Sequence, residues 1–284
     1  MKKFFSILMA AAMLLSLCAL TACGGGEEAA PAEGEAQTEE TAPADGEAAA
    51  LETVNEGKLT MSTNAQFPPY EMVADDGSFE GIDVEVATAI AEKLDLELQV
   101  DDMDFDSALL AAQNGKSDMV MAGVTVTEER QQVMDFSNSY ATGVQSIIVT
   151  NDSEIASVDD LANASQIGTQ RGTTGWLYCS ATAEDGGYGE DHVTAYDDGA
   201  TAVQALINGQ VDAVVIDNAP AQEYVKANPG IKLLDTEFTK EEYAIGMAKG
   251  NTALMDAVNK ALEELIADGT VQSIIDKYIP AVAE

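Results

Sequence analysis

The chain has 284 residues, enough for one or two domains once targeting segments are set aside. Its formal net charge is -37, from 50 acidic and 13 basic side chains. That excess argues against nucleic acid, whose phosphates attract basic surfaces, and against direct adhesion to anionic lipid.

At the N-terminus Lys2 and Lys3 form a basic start, and residues 4–20 an apolar run too short and wrongly flanked for an anchor helix. Residues 1–22 therefore read as a secretory signal peptide. It closes on Leu20-Thr21-Ala22-Cys23, an aliphatic residue and two small ones before a Cys, which fits the lipobox of bacterial lipoproteins. Small residues admit the peptidase, and the Cys23 thiol carries the lipid. Several acyl chains, each giving roughly 0.8 kcal/mol per buried methylene, hold a protein on a bilayer. Residues 24–56 are rich in Gly, Ala, Pro, Thr and Glu and contain no Lys or Arg. Such a stretch buries too little apolar surface to offset its ordering entropy, so 23–56 is expected to be a lipidated Cys followed by a disordered acidic linker.

From about Lys58 short apolar strands alternate with helical patterns, which argues for α/β architecture. Residues 59–63 read as a strand, and Asp75-Asp76-Gly77-Ser78 as a hairpin turn. Residues 83–94 read as a helix with Val84, Ala87, Ile90, Ala91 and Leu94 on one stripe. A strand over 96–100, a helix over 106–113 stopped by Asn114-Gly115, and a buried strand over 119–122 follow. Residues 166–169 form another strand. Then a helix over 200–207, the stop Asn208-Gly209 and a strand over 213–216 repeat the earlier unit. Asn114-Gly115-Lys116-Ser117-Asp118 parallels Asn208-Gly209-Gln210-Val211-Asp212, and two similar α/β lobes are the natural reading. Ligands of open parallel sheets sit beyond the carboxyl ends of the strands, here Gly123 to Thr125 in one half and Asp217 in the other.

Thr127 suits a helix N-cap and leaves Arg130 in the first turn. The helix dipole favours anions there, so a bound carboxylate would resolve the conflict, since the Arg fork takes a carboxylate bidentately. A surface pairing with Glu128 or Glu129 is the alternative. Gly172-Thr173-Thr174-Gly175 opens another helix after a strand, with free N–H groups and hydroxyls suited to an anion, but without the Lys of a P-loop. Asp217 could pair with an ammonium or cap the helix near Asn218. One Arg and one Asp from different halves match the two charges of an α-amino acid. Phe67 and Phe105 could wall a solute or pack in the core. No His, Cys and Asp cluster has metal-site spacing, and the acidic run Asp101, Asp102, Asp104 and Asp106 fits no EF-hand. Cys179 and the single histidine, His192, offer one untested pairing for thiol catalysis, and a packed thiol is the plainer reading.

Gly81-Ile82-Asp83-Val84-Glu85-Val86 with Ile90, Ala91 and Leu94 resembles the signature of the bacterial extracellular solute-binding proteins, family 3, the polar amino-acid receptors of ABC importers. Asp104-Phe105-Asp106, the run from Gly123 to Arg130, Asp135-Phe136-Ser137, the Gly172 to Gly175 turn and Asp217 extend the likeness from Lys58 to the C-terminus. The resemblance implies a two-lobed, type II periplasmic-binding-protein (Venus flytrap) fold with two crossover hinge strands. Lobe one would be 58–144 plus 243–284, and lobe two 145–242. It implies that Arg130 holds the ligand carboxylate with Thr125, Thr173 and Thr174, that Asp217 holds the ammonium with Gly123 and Thr125, and that Phe67 and Phe105 sandwich the side chain. Relatives that take cationic side chains commonly carry an acid where this chain has Asn64, and some carry a hydroxyl at Ala122. Asn has no charge to pair with Lys or Arg, so a neutral polar amino acid such as glutamine or cystine is the expected ligand. The expected partners are that amino acid and the permease of an ABC importer, with the membrane reached through the lipid alone, no nucleic acid, no metal, no cofactor and a monomeric state.

Two other readings share this fold. A periplasmic dehydratase acting on prephenate or arogenate would need a general acid with a tuned pKa in the cleft. No surplus carboxylate stands out beside Arg130 and Asp217, although sequence does not place Glu184, Asp185 or the acids near Asp101. A sensory receptor would need a transmembrane segment and an output domain.

Overall fold

The computed structural model describes residues 51–235 and 238–280. The signal peptide, Cys23 and the linker up to residue 50 lie outside the described residues. The end of the linker is packed: Leu51 lies against the core, and the Val54 N–H donates to Asp118 at 2.8 Å.

In chain order the first part comprises β1 (Lys58–Thr63), β2 (Gln66–Phe67), β3 (Glu71–Val73), β4 (Phe79–Glu80), α1 (Ile82–Lys93), β5 (Glu97–Asp102), α2 (Phe105–Gln113), β6 (Met119–Val120), α3 (Glu128–Val133) and β7 (Met134–Phe136). The long strand β8 (Ala141–Thr150) leads to β9 (Ile167–Gln170), α4 (Thr174–Ser180), β10 (Val193–Tyr196), α5 (Gly199–Ile207), β11 (Ala213–Asp217), α6 (Asn218–Ala227) and β12 (Ile231–Leu233). The chain then returns through β13 (Thr239–Tyr243) to β14 (Gly246–Ala248), α7 (Thr252–Ala267) and α8 (Thr270–Tyr278).

Two large sheets result, one per lobe, beside a small one of order β2-β3-β4. The first has the order β5-β1-β6-β14-β7, and the second β10-β9-β11-β8-β12 with β13 beside β8. β8 leaves the first lobe and β13 re-enters it. They pair antiparallel from Gln145 opposite Thr239 to Ala141 opposite Tyr243, so the two crossovers form one ribbon. A small hairpin of β3 and β4 holds the predicted Asp75 to Ser78 turn.

Strand alternation builds three layers in each lobe. Met119 and Met121 pack with Ile82 and Ile90 on one face of the first sheet, while Val120 and Ala122 pack with Phe105 and Ala108 on the other. In the second sheet Val214 and Ile216 meet Leu206 and Ala221, whereas Ala213 and Val215 meet Leu161 and Cys179. The Cys179 thiol is fully buried, and that burial pushes its pKa up to about 12. The sequence echo is structural. The Asp118 carboxylate accepts from the N–H groups of Val54 and Thr60, and Asp212 accepts from those of Ser165 and Gln166. Each Asp ties the end of one loop to the start of a neighbouring strand.

Candidate functional site

Four ends of parallel strands converge between the lobes, at Asn64 after β1, Gly123 after β6, Gln170 ending β9 and Asp217 ending β11. With Phe67, Phe105, Thr125, Arg130, Thr173 and Thr174 they line one narrow cavity. All nine ligand-binding candidates read from the sequence therefore meet in one place. Glu184 is exposed and Asp185 lines a separate surface groove.

Thr127 caps α3 by accepting from the Arg130 N–H at 3.2 Å. The Arg130 side chain is 9% exposed, and the pairing with Glu128 or Glu129 does not describe it. Its guanidinium donates to the Thr125 carbonyl at 2.8 Å and, across the cleft, to the Gly172 carbonyl at 3.1 Å. It also lies over the Phe105 ring, 5.4 Å from the centroid, so Phe105 supports the Arg as well as walling the cavity. Burial lowers the Arg130 pKa, opposed by the charges of Glu241 and Asp217.

Asp217 occupies the N-cap position of α6 but makes no side-chain capping bond. Its Oδ2 accepts from Gln145 Nε2 at 2.7 Å, and its Oδ1 from the Tyr243 hydroxyl. Burial, then the Glu241 charge, pushes its pKa up to about 7. An incoming ammonium would restore the ionised form.

Gly123 has φ +55°, and a Cβ there would lie 2.8 Å from Phe67 Cε1. Glycine is therefore required both by conformation and by the approach of the ring. Its N–H donates at 2.9 Å to Asp83, whose other oxygen accepts from Tyr140 at 2.7 Å. Thr173 caps α4 by accepting from Trp176 and donates its hydroxyl to the Gln170 carbonyl.

Asn64 lines the cavity, but both its polar atoms are engaged. Nδ2 donates to the Met103 carbonyl at 3.1 Å, and Oδ1 accepts from Gln170 Nε2 at 2.9 Å. The expectation that no surplus carboxylate accompanies Arg130 and Asp217 is corrected by Glu71. It lines the cavity and is fully buried, and its carboxyl faces that of Asp83, to which the protonated form can donate. Burial, then the charge of Asp83, raises its pKa well above the ordinary carboxylate range. In the sequence a lone Glu after Pro68-Pro69-Tyr70 carries nothing to distinguish it from 49 other acids, and Gln170 likewise gives no signal.

The profile of the bacterial extracellular solute-binding proteins, family 3, matches residues 59–281. The chain is 33% identical to a probable histidine-binding protein of Neisseria gonorrhoeae, over 98% of this chain and 96% of that protein. It is 31% identical to the L-cystine-binding protein TcyJ of Escherichia coli K12, over 79% of this chain and 84% of that one. Among solved structures, an ancestral arginine-binding protein bound to glutamine superposes with a TM-score of 0.73 at 39% identity, covering 80% of this chain and all of that one. The same kind of protein bound to arginine gives 0.73 at 40% identity, over 78% and 98% of the two chains.

Proposed function

The chain belongs to the bacterial extracellular solute-binding proteins, family 3, and on that premise we propose that it is an extracytoplasmic receptor that closes on one polar amino acid and delivers it to the permease of an ABC importer. The observation that carries this reading is a buried cation and a buried carboxylate, Arg130 and Asp217, supplied by opposite lobes to one cavity. They suit the α-carboxylate and α-ammonium of a zwitterion. Thr125, Thr173 and Thr174 would assist at the carboxylate, and Gly123 and Thr125 at the ammonium. Phe67 and Phe105 would flank the side chain.

A neutral ligand was expected because Asn64 carries no charge. The geometry gives that residue other work and supplies Glu71 instead. The side chain of the ligand is therefore read as one that ends in hydrogen-bond donors, either an amide or a cation, and not as an acidic one. A protonated Glu71 accepts from an amide, while an ionised one pairs with a cation.

The proposed lobes are 58–144 plus 243–284 and 145–242. The monomer would be held to the membrane by lipid on Cys23 after removal of residues 1–22. Among the described residues no helix is long and apolar enough to cross a membrane. Glu71 is a buried cavity carboxyl of raised pKa, the feature a dehydratase would need, but the family and the relatives compared are binding proteins rather than enzymes.

A thermal-shift screen of the protein against the common amino acids tests this function, because a ligand that binds only the folded state raises its melting temperature. Stabilisation by arginine, lysine, histidine or glutamine, and none by glutamate or aspartate, is expected. Stabilisation by acidic amino acids alone would overturn the assignment of Glu71.

A further inference from the structure

The crossover ribbon contributes more than a hinge. Glu241, in the middle of β13, is 5% exposed and does not line the ligand cavity. Its Oε2 accepts from the Thr125 hydroxyl at 2.9 Å and from Gln145 Nε2 at 3.1 Å. The same Gln145 Nε2, on the facing strand β8, donates to Asp217 Oδ2 at 2.7 Å. Tyr243, two residues along β13, donates its hydroxyl to the other Asp217 oxygen. The loop that holds Thr125 is also sewn to this strand by its backbone, through Val126 N–H to the Glu242 carbonyl and Ala244 N–H to the Val124 carbonyl, both at 3.1 Å.

We propose that Glu241 is a positioning residue for the amino-acid site, fixing the Thr125 hydroxyl and the Gln145 amide so that Asp217 is aimed and electrostatically poised for an ammonium. This rests on the reading of Asp217 as the ammonium group. A carboxylate that shares one amide hydrogen-bond donor with Asp217 cannot approach it without repelling its charge. Two buried like charges make proton binding at one of them easier, which agrees with the upward displacement of Asp217 to about 7. The other groups that act electrostatically with Asp217 are Arg130 from the loop helix, Glu71 and Tyr70 from the β3 region, Tyr178 from α4 and Tyr243 from β13. Of the carboxylates in this group, Glu241 is the one joined to Asp217 through a single side chain. It is also the strongest charge acting on the buried Arg130. The ribbon that joins the lobes thus holds Asp217 through Gln145 and Tyr243 and places the Glu241 charge where it acts on Arg130.

The test compares the full chain with Glu241→Gln and Glu241→Leu. Titration of the Asp217 carboxyl is followed by 13C NMR without ligand, and calorimetry with L-arginine and L-glutamine is run at pH 6 and pH 8. Glu241→Gln keeps an acceptor for Thr125 and removes the charge, so the Asp217 midpoint is expected to fall by about one unit. If only the ionised form takes the ammonium, affinity in the wild type falls about tenfold from pH 8 to pH 6, and in Glu241→Gln only about twofold. Glu241→Leu, which also leaves the Thr125 hydroxyl without its acceptor and takes one acceptor from the Gln145 amide, should bind at least about fivefold more weakly at pH 8. An Asp217 midpoint that does not move in Glu241→Gln overturns the inference, whatever the chain binds. A midpoint that moves in a chain that binds neither amino acid upholds the role of Glu241 towards Asp217 and refutes the ligand assignment instead.

Discussion

Asn64 and Gln170 lie 106 residues apart and join the two lobes through one buried hydrogen bond of 2.9 Å. Because it spans the cleft, opening of the lobes would break it, so on the proposed function it would favour closure and not the choice of side chain. Gln170→Ala should weaken every amino acid by the same factor, about two- to tenfold for a single net hydrogen bond. Lowering the population of the binding-competent state scales all affinities together. Calorimetry with arginine and glutamine checks this, and a change in the ratio of the two would mean that Gln170 touches the ligand side chain.

Arg130→Ala and Asp217→Ala should each weaken binding by about thirtyfold or more, because each leaves one ligand charge buried without its partner, a loss of roughly 2–5 kcal/mol. Small-angle scattering should show ligand-induced compaction in the wild type and none in either variant. Wild-type affinity in Asp217→Ala would point to a ligand without an α-ammonium.

Glu71→Gln separates the two kinds of donor. A cationic ligand loses its counter-charge, so arginine and lysine should weaken about thirtyfold or more, and glutamine much less. Equal losses for arginine and glutamine would place Glu71 away from the end of the side chain.

The buried carboxyls also set a direction for stability. Burial raises Asp83 to about 6 and, with help from Glu241, Asp217 to about 7, against 3.8 for an ordinary Asp. The folded chain then binds these protons more tightly than the unfolded chain. Their stabilising contribution is full below about pH 4 and is lost as pH rises through 6 to 7. Denaturant unfolding without ligand should show stability falling from pH 5 to pH 8, and Asp217→Asn should fall less steeply. An identical slope in the variant would remove Asp217 from this account.

On the proposed reading, a membrane anchor would depend on one thiol. Cys23→Ala should abolish acyl labelling and release the protein from the membrane fraction. Unchanged labelling would assign the lipid elsewhere.

Much of the architecture is legible in the sequence because local rules agree with the global fold there. The stripe of 83–94 became α1, and both Asn-Gly stops end helices that precede a sheet strand. Arg130 was legible as a charge misplaced at the start of a helix, and Asp217 as an acid closing a hydrophobic strand. The polar network behind them was not. Gln145, Glu241 and Tyr243 lie on strands that read as ordinary alternation, and their meeting with Asp217 depends on the register in which β8 crosses β13. The hydrogen-bond partner of Asn64 in the other lobe was not legible for a related reason. No local pattern announces a contact between residues so far apart.

The sealed position of Cys179 has a practical consequence. With its proton held up to about pH 12 and no surface exposed, that sulfur offers almost no thiolate to alkylating reagents under ordinary conditions. Once Cys23 is acylated or replaced, a single engineered cysteine becomes the only addressable handle of the mature chain. Asp197 is well placed for one, because its side chain is 79% exposed while its carbonyl accepts from Gln170 beside the cleft. An environment-sensitive dye attached through Asp197→Cys would convert lobe closure into an optical signal and turn the receptor into a reagentless sensor for its own solute.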